Sequence, residues 1–384
     1  MKVVIAPDSF KGSLSASEVA DNIAKGVRRV FGAADILSIP MADGGEGTVR
    51  SLVDSTKGVI VSARVKGPLL KDVDAFYGIL GDGITAVIEM AAASGLPLLR
   101  EDERNPMETT TYGTGELIKH ALDKGCRNII IGLGGSATND AGAGMIKALG
   151  AGLLDKDGND IGCGGGSLGK IAAIDLIAMD ERLKSCRIVA ACDVDNPLTG
   201  IRGASHVFGP QKGADEEMVK TLDKNLGHFA EVVETNTGIS IKDYPGAGAA
   251  GGLGGGLLAF LGAELKRGID IVIEAAGLEE GIKGADLVIT GEGMMDYQTQ
   301  YGKTPYGVAQ VARKYDIPVV AIVGSVGRNA EVLYDLGFNG IFSIINRPMT
   351  LAEAMSECPG LLEKTSESIM RMVKAYSNKG MPNG

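Results

Sequence analysis

The sequence predicts an α/β protein, a doubly wound parallel sheet split by a large inserted α/β segment. Three observations predict it. Short apolar runs at both ends of the chain (Val3 to Ala6, Ile36 to Ile39, Asp286 to Thr290, Pro318 to Val323, Gly340 to Ile345) alternate with stretches of helical spacing. Between them the pattern changes to an antiparallel meander followed by further strands and helices. The chain has 384 residues, more than one ordinary core organises. The expected division is one discontinuous domain from residues 1–55 and 265–384 and an inserted mixed α/β domain from residues 56–264.

In chain order, the first strand ends at Pro7-Asp8-Ser9. Ser15 to Val30 has helical spacing, with Ser15 as N-cap and Glu18 completing a capping box. Ile36 to Ile39 ends at Pro40 and the turn Met41 to Gly47, whose Asp43 and Glu46 also suit plain turn formation. Residues 59 to 66 alternate, and Asp74 to Leu80 and Ile84 to Met90 follow, the last two joined by Gly81-Asp82-Gly83. Helical spacing returns at Gly115 to Lys124. The run Ile129 to Ile131 then leads into Gly132, Gly134, Gly135, Ser136, Thr138, Asn139 and Asp140. Arg187 to Cys192 reads as a strand ending in Asp193-Val-Asp195-Asn-Pro197, and Met218 to Glu234 as an amphipathic helix. Gly246 to Gly256 is so rich in glycine that it is either a loop or the start of a helix packed very closely on its neighbour. Ile269 to Ile282 is expected as a helix, then the strand Asp286 to Thr290, a long polar turn, a helix near Gly307 to Tyr315, the strand Pro318 to Val323, another helix and the last strand.

Composition narrows the partners. Lys and Arg number 38 against 48 Asp and Glu, a net charge of −10 without basic clusters, which argues against nucleic acid and anionic membranes. No apolar run reaches a bilayer span, and Met1 to Phe10 enters a strand without a leader, so a soluble cytoplasmic protein is expected. The five cysteines form no C-x-x-C pair and the three histidines no metal spacing, as in a reducing compartment without a zinc site.

With a flavodoxin-like strand order, 2-1-3-4-5, ligands are expected at the carboxyl ends of the first and third strands. The loops there are Asp8 to Gly12 and Gly291 to Thr304, both dense in polar groups. The turn from Gly132 to Thr138 can hold an anion if its N–H groups point inward and the next helix adds positive charge, or it can be a tight turn that binds nothing. Gly302-Lys303-Thr304 is not the end of a P-loop, because the glycine required five positions earlier is Tyr297. Gly132-Leu-Gly134-Gly-Ser-Ala137 matches G-x-G-x-x-A, with Asp155 eighteen residues on, which keeps an NAD(P)-dependent oxidoreductase as an alternative. Asp193, Asp195 and Asp296 each suit local capping when taken singly. Together with Lys11 and Lys303 they form a set of strand-end groups suited to metal-assisted phosphoryl transfer.

The motifs APDSFKGSLSA (6–16), ADGGEGT (42–48), TTYGTGELI (110–118), GLGGSATNDAGAGM (132–145), DVDNPLTG (193–200), VFGPQKGA (207–214), GGLGGGLLAFLGAEL (251–265) and TGEG..D.QT..GK.P.GVA (290–309) run in order through nearly the whole chain. Together they resemble the bacterial type I glycerate kinases. The resemblance implies ATP-dependent, Mg²⁺-assisted phosphorylation of D-glycerate at its 2-hydroxyl to 2-phosphoglycerate. It also implies a flavodoxin-like domain carrying an inserted, restriction-enzyme-like domain. On this reading Asp296 orients and deprotonates the substrate hydroxyl, while Lys11 and Lys303 neutralise phosphate or carboxylate charge. Asp8, Ser9, Glu292 and Gln298 contact glycerate, and Gly132, Gly134, Gly135, Ser136 and Thr138 hold nucleotide phosphates. Asp193 is the first choice for Mg²⁺, with Asp195 in reserve. One position departs from the pattern: the family commonly has Arg after GEG, and this chain has Met294, which supplies neither charge nor donors. That departure is the one sequence hint for a non-catalytic metabolite-binding homologue.

Overall fold

The structure is a computed structural model and describes residues 1–45 and 47–377. Among the described residues, fifteen strands follow the chain: β1 (Lys2–Ile5), β2 (Asp35–Ser38), β3 (Val59–Lys66), β4 (Asp72–Ile79), β5 (Thr85–Glu89), β6 (Asn128–Gly132), β7 (Gly152–Leu154), β8 (Ala173–Asp175), β9 (Arg187–Ala191), β10 (Glu264–Lys266), β11 (Leu287–Thr290), β12 (Met294–Met295), β13 (Val319–Val323), β14 (Ser325–Val326) and β15 (Gly340–Ser343). The chain forms two compact units. One comprises Met1–Asp43, Arg50–Lys57 and the residues from Ile269 onward; the other comprises Gly44–Val49 and Gly58–Gly268.

The first unit holds a five-stranded sheet in the order β15-β13-β11-β1-β2, with every pairing parallel. This is the 2-1-3-4-5 order, and β1 is joined on one side to β2 and on the other to β11, with Val3 opposite both Ile36 and Leu287. All residues of β11 and β13 are buried, as expected of continuous apolar runs covered on both faces. Val19, Ile23 and Val27 of the helix Ala16–Val30 pack with Val3, Ile5, Ile289, Leu362 and Met370 in one core. That helix begins with the expected capping box: Ser15 Oγ accepts from the Glu18 N–H at 3.3 Å, and Glu18 accepts from the Ser15 N–H at 2.8 Å. Its Gly26 lies against the C-terminal helix Leu351–Ser377 so closely that a Cβ there would stand 1.9 Å from Ser366 Oγ. Arg29 reaches across the same contact to Glu363 and Glu367.

The second unit holds a six-stranded sheet ordered β10-β9-β6-β5-β4-β3. Its β5, β6, β9 and β10 are parallel, while β3, β4 and β5 make the antiparallel meander. Ile129 and Ile131 share its core with Leu117, Ile118, Met145, Phe229 and Leu253. β7 and β8 form a small antiparallel pair.

Several segments differ from the sequence-based expectation. The expected helix Ile269 to Ile282 is two helices, Gly268–Ala275 and Leu278–Ile282, because Gly277 at φ 66° breaks it. Between β13 and β15 stands a 3-10 helix, Ala330–Leu336, in place of an α-helix. The glycine-rich stretch takes the second of its two expected forms, the closely packed start of a helix, Ala249–Leu261, whose first turn is interrupted at Ala250, Gly251 and Gly252, all at positive φ. Close approach explains it: a Cβ on Gly251 would meet the Thr138 carbonyl oxygen at 1.9 Å, and one on Gly256 the Ala141 oxygen at 2.3 Å. The 27-residue helix at the C-terminus has no counterpart in the sequence-based expectation.

Candidate active site

In the first unit the loops after β1 and β11 are tied together by backbone. Ala6 N–H donates to Ile289 O and Asp8 N–H to Gly291 O, both at 2.8 Å, and Thr290 Oγ1 donates to Ala6 O at 2.8 Å. Gly291 must be glycine here, because a Cβ would meet the Ile322 oxygen at 1.9 Å. The ties hold a half-buried carboxyl, Asp8, close enough to a buried one, Glu292, for the charge of Asp8 to act on Glu292. Asp8 accepts from the Ser9 N–H at 2.6 Å and from Thr304 Oγ1 at 2.7 Å. Burial pushes its carboxyl up to about 6, opposed by the Thr304 hydrogen bond and aided by the charge of Asp43, with Lys11 pulling the other way. Glu292 is 9% exposed, accepts from Thr299 Oγ1 at 2.8 Å and stands 3.3 Å from Lys303 Nζ. Burial pushes it up to about 7; Lys303 and Thr299 oppose that rise, and Asp8 adds to it.

Asp296 occupies a different kind of position. It is half-buried and caps the 3-10 helix Tyr297–Tyr301, accepting from the Gln298 N–H at 2.9 Å. Its own N–H donates to Thr299 Oγ1 at 3.3 Å, so Asp296 and Glu292 are linked through one hydroxyl. Gln298 is exposed and donates to the Tyr297 hydroxyl at 3.3 Å, and Lys11 is exposed beside Gly12. Lys303 immediately precedes the helix Thr304–Arg313. The structure thus gathers Asp8, Ser9, Glu292 and Lys303, and adds Thr299 and Thr304, which sequence reasoning did not single out. Both hydroxyls stand in the QT..GK.P stretch or beside it, unmarked by charge. Met294, in β12 beside Ser325 of β14, is 52% exposed.

In the second unit β6 runs into the glycine turn. Gly134 and Gly135 are exposed and Gly135 has φ 73°, while Ser136 and Thr138 are buried beneath them. Gly135 O accepts from the Leu96 N–H and Ala137 N–H donates to Ser94 O, each at 2.9 Å. The expected helix does not start at this turn. It starts at Ala143 and has only six residues, so it brings no macrodipole to Ser136, and the turn lacks the strand-turn-helix geometry of a dinucleotide fingerprint. The positive charge comes instead from Lys212, 2% exposed, whose Nζ donates to Ser136 Oγ and to Thr138 O, each at 2.7 Å. Asp140, fully buried, accepts from Thr110 Oγ1, from the N–H and Oγ1 of Thr111, and from the N–H groups of Gly142 and Gly144. Burial raises its carboxyl above the usual range, against those five donors.

The two aspartates expected at a metal are both engaged. Asp193 accepts from the Gly268 N–H at 2.9 Å, and both oxygens of Asp195 receive Arg202 Nη2 at 3.1 Å. Among the described residues no three His, Cys, Asp or Glu side chains converge on a metal position. Glu46 lies outside the described residues.

With this geometry in place, comparison with known proteins gives a consistent result. The family model described as the glycerate kinase family matches residues 3–374. A glycerate kinase of Bacillus subtilis (strain 168) is 55% identical over 374 residues, covering 97% of this chain and 98% of that one. A glycerate 2-kinase of Escherichia coli (strain K12) is 56% identical over 354 residues, covering 92% and 93%. A crystal structure described as a putative glycerate kinase 2 from Salmonella typhimurium LT2 superposes with a TM-score of 0.92 at 50% identity, covering 98% of this chain and 99% of that one. The chain is a phosphotransferase, and the kinase reading stands over the nicotinamide-dependent and non-catalytic alternatives. The chain belongs to the glycerate kinase family.

Proposed function

We propose that the protein transfers the γ-phosphoryl group of ATP to the 2-hydroxyl of D-glycerate, giving 2-phosphoglycerate, as a cytoplasmic enzyme assisted by Mg²⁺. The observation that carries this reading is the pair of carboxyl groups raised above their usual range, half-buried Asp8 and buried Glu292, with Lys303 beside Glu292, at the carboxyl ends of β1 and β11. Phosphoryl transfer asks a protein mainly to position reactants, offset charge and receive one hydroxyl proton. Asp296 is assigned to orient the glycerate hydroxyl and take its proton. Lys11 and Lys303 offset the charge of carboxylate or phosphate, and Asp8, Ser9, Glu292 and Gln298 contact the substrate. One observation favours Glu292 as a second reading for the proton acceptor: it is buried, sits near neutrality and is linked to Asp296 through Thr299.

Nucleotide phosphates are assigned to Gly132, Gly134, Gly135, Ser136 and Thr138. Mg²⁺ is commonly held by one or two carboxylates together with substrate phosphates, so one or two carboxylates of this chain would suffice for an ion that arrives with ATP. Asp193 remains the candidate ligand, and Asp195, which is held by Arg202, is the weaker one. The division into a discontinuous domain (1–55 and 265–384) and an inserted domain (56–264) belongs to the same proposal. No helix among the described residues is long and apolar enough to cross a membrane. The test is a coupled assay for ADP release with D-glycerate and Mg-ATP, with the phosphorylated carbon assigned by phosphorus NMR. ADP release dependent on D-glycerate and a 2-phosphoglycerate product are expected; turnover that ignores glycerate, or a 3-phosphoglycerate product, would reject the assignment.

A further inference from the structure

We propose that Lys212 is a positioning residue for the nucleotide-phosphate turn, its buried ammonium orienting the Ser136 hydroxyl and placing a positive charge against the turn that carries the exposed Gly134 and Gly135. The proposal rests on the assignment of that turn to nucleotide phosphates and deepens it. Lysine is rarely buried, and when it is, its charge ordinarily meets a carboxylate. Here the two hydrogen-bond partners of the ammonium are a hydroxyl and a carbonyl of one turn.

The chemistry of those partners gives the lysine a direction. In its protonated form Lys212 has three donors and no acceptor, so Ser136 Oγ then only accepts from it. The single proton of Ser136 is thereby turned away from Lys212 and left to donate to another group. Next to it, Thr138 Oγ1 is buried without a hydrogen-bond partner, as is Asn139 Oδ1. A buried hydroxyl without a partner is costly and calls for one that arrives later. An anionic oxygen above the exposed glycines satisfies the Ser136 proton and the ammonium charge together, at the place where no helix start provides positive charge.

The local fold serves this placement. Lys212 ends the 3-10 turn Pro210–Lys212, and Gly213, at φ 95°, turns the chain where a Cβ would meet the Arg104 oxygen at 2.3 Å. Burial brings the Lys212 amine down to about 7, with Asp140 opposing the fall. Five donors hold Asp140 in place, close enough for its charge to favour the protonated lysine.

The test is a double-mutant cycle on the full chain, Lys212→Met, Ser136→Ala and both together, read by calorimetric titration with ADP and by KM for ATP against KM for glycerate. Lys212→Met is expected to weaken ADP binding by roughly ten- to a hundredfold, to raise KM for ATP similarly and to leave KM for glycerate within about twofold. The double variant is expected to lose no more than the larger single effect. Lys212→Arg, which keeps a charge with different reach, serves if the methionine variant does not fold, and is expected to retain part of the ADP affinity. If Ser136→Ala weakens ADP binding and Lys212→Met does not, the turn keeps its assignment and the lysine loses its role. If neither variant changes ADP affinity, the turn assignment falls and the proposal with it. Equal rises in both KM values would show a general structural role and would likewise overturn it.

Discussion

Replacing Glu292 by glutamine isolates the energetic cost of the buried carboxyl. The folded state raises this group from 4.5 to about 7, chiefly by burial. A raised carboxyl means that between those values the folded protein holds a proton that the unfolded chain has released, so stability falls as pH rises through the window. Below 4.5 both states are protonated and nothing is lost; above about 7 both are ionised and the full cost is present. At about 1.4 kcal/mol per pH unit, that cost is about 3 kcal/mol. A glutamine at this position cannot ionise and keeps an oxygen to accept from Thr299. Glu292→Gln should therefore match the wild type near pH 4.5 and exceed it by about 3 kcal/mol near pH 8.5. Urea unfolding followed by circular dichroism at the two pH values measures the difference, in which groups that do not interact with residue 292 cancel. A difference that does not change with pH would show that Glu292 titrates as an ordinary carboxyl, and would remove the electrostatic basis of the candidate site.

Three further outcomes are expected. Asp296→Asn should lower kcat by about 10²-fold or more with little change in ATP affinity, because Asn can keep the cap on Gln298 but cannot take a proton as a carboxylate. Normal turnover in steady-state assays would leave Asp296 as a cap and move the proton acceptor to Glu292. Met294→Arg should improve kcat/KM for glycerate by roughly ten- to a hundredfold if the position lacks a needed charge. Met294 is half-exposed, so little packing is lost, and an unchanged or lower kcat/KM would reject the idea. Gly26→Leu should lower the thermal midpoint clearly, by overpacking worth about 1–3 kcal/mol or more, because its Cβ would already collide with Ser366 Oγ and the Glu363 oxygen. A midpoint equal to wild type would mean that the two helices separate at no cost.

What the sequence made legible followed from local signals. Apolar or alternating runs marked every strand of the two large sheets except the short β10, and Ser15 with Glu18 marked a helix start that the structure reproduces. The C-terminal helix carried a similar signal, Thr350 accepting from Glu353 N–H and Glu353 accepting from Thr350 N–H, but Pro359 inside it argues locally against an uninterrupted helix. Packing on the helix Ala16–Val30 overrides that preference. Gly277 and Asn329 broke or tightened helices through positive φ, which periodicity does not report. At the candidate site the charged residues were readable and their environments were not. Nothing in VFGPQKGA says that its lysine is buried, because burial depends on the turn it meets, 74 positions away at Thr138. The same holds for Asp140, whose five donors come from two separate stretches of chain.

The strand order of the first unit sets a schedule for its birth on the ribosome. β1 needs neighbours on both sides, and only β2 emerges soon after it; Thr290, which bonds to Ala6, is 284 positions away. At about 5–20 residues per second, that partner arrives roughly a quarter of a minute to a minute later. Two strands alone are at best marginally stable, so through this interval the nascent N-terminus waits with an unpaired edge. All six strands of the second unit's large sheet lie between Val59 and Lys266, so that sheet is delivered whole during the wait. The middle of the chain is thus positioned to fold before its beginning. A chain that stops short of Leu287 leaves β1 without the neighbour that makes it a central strand.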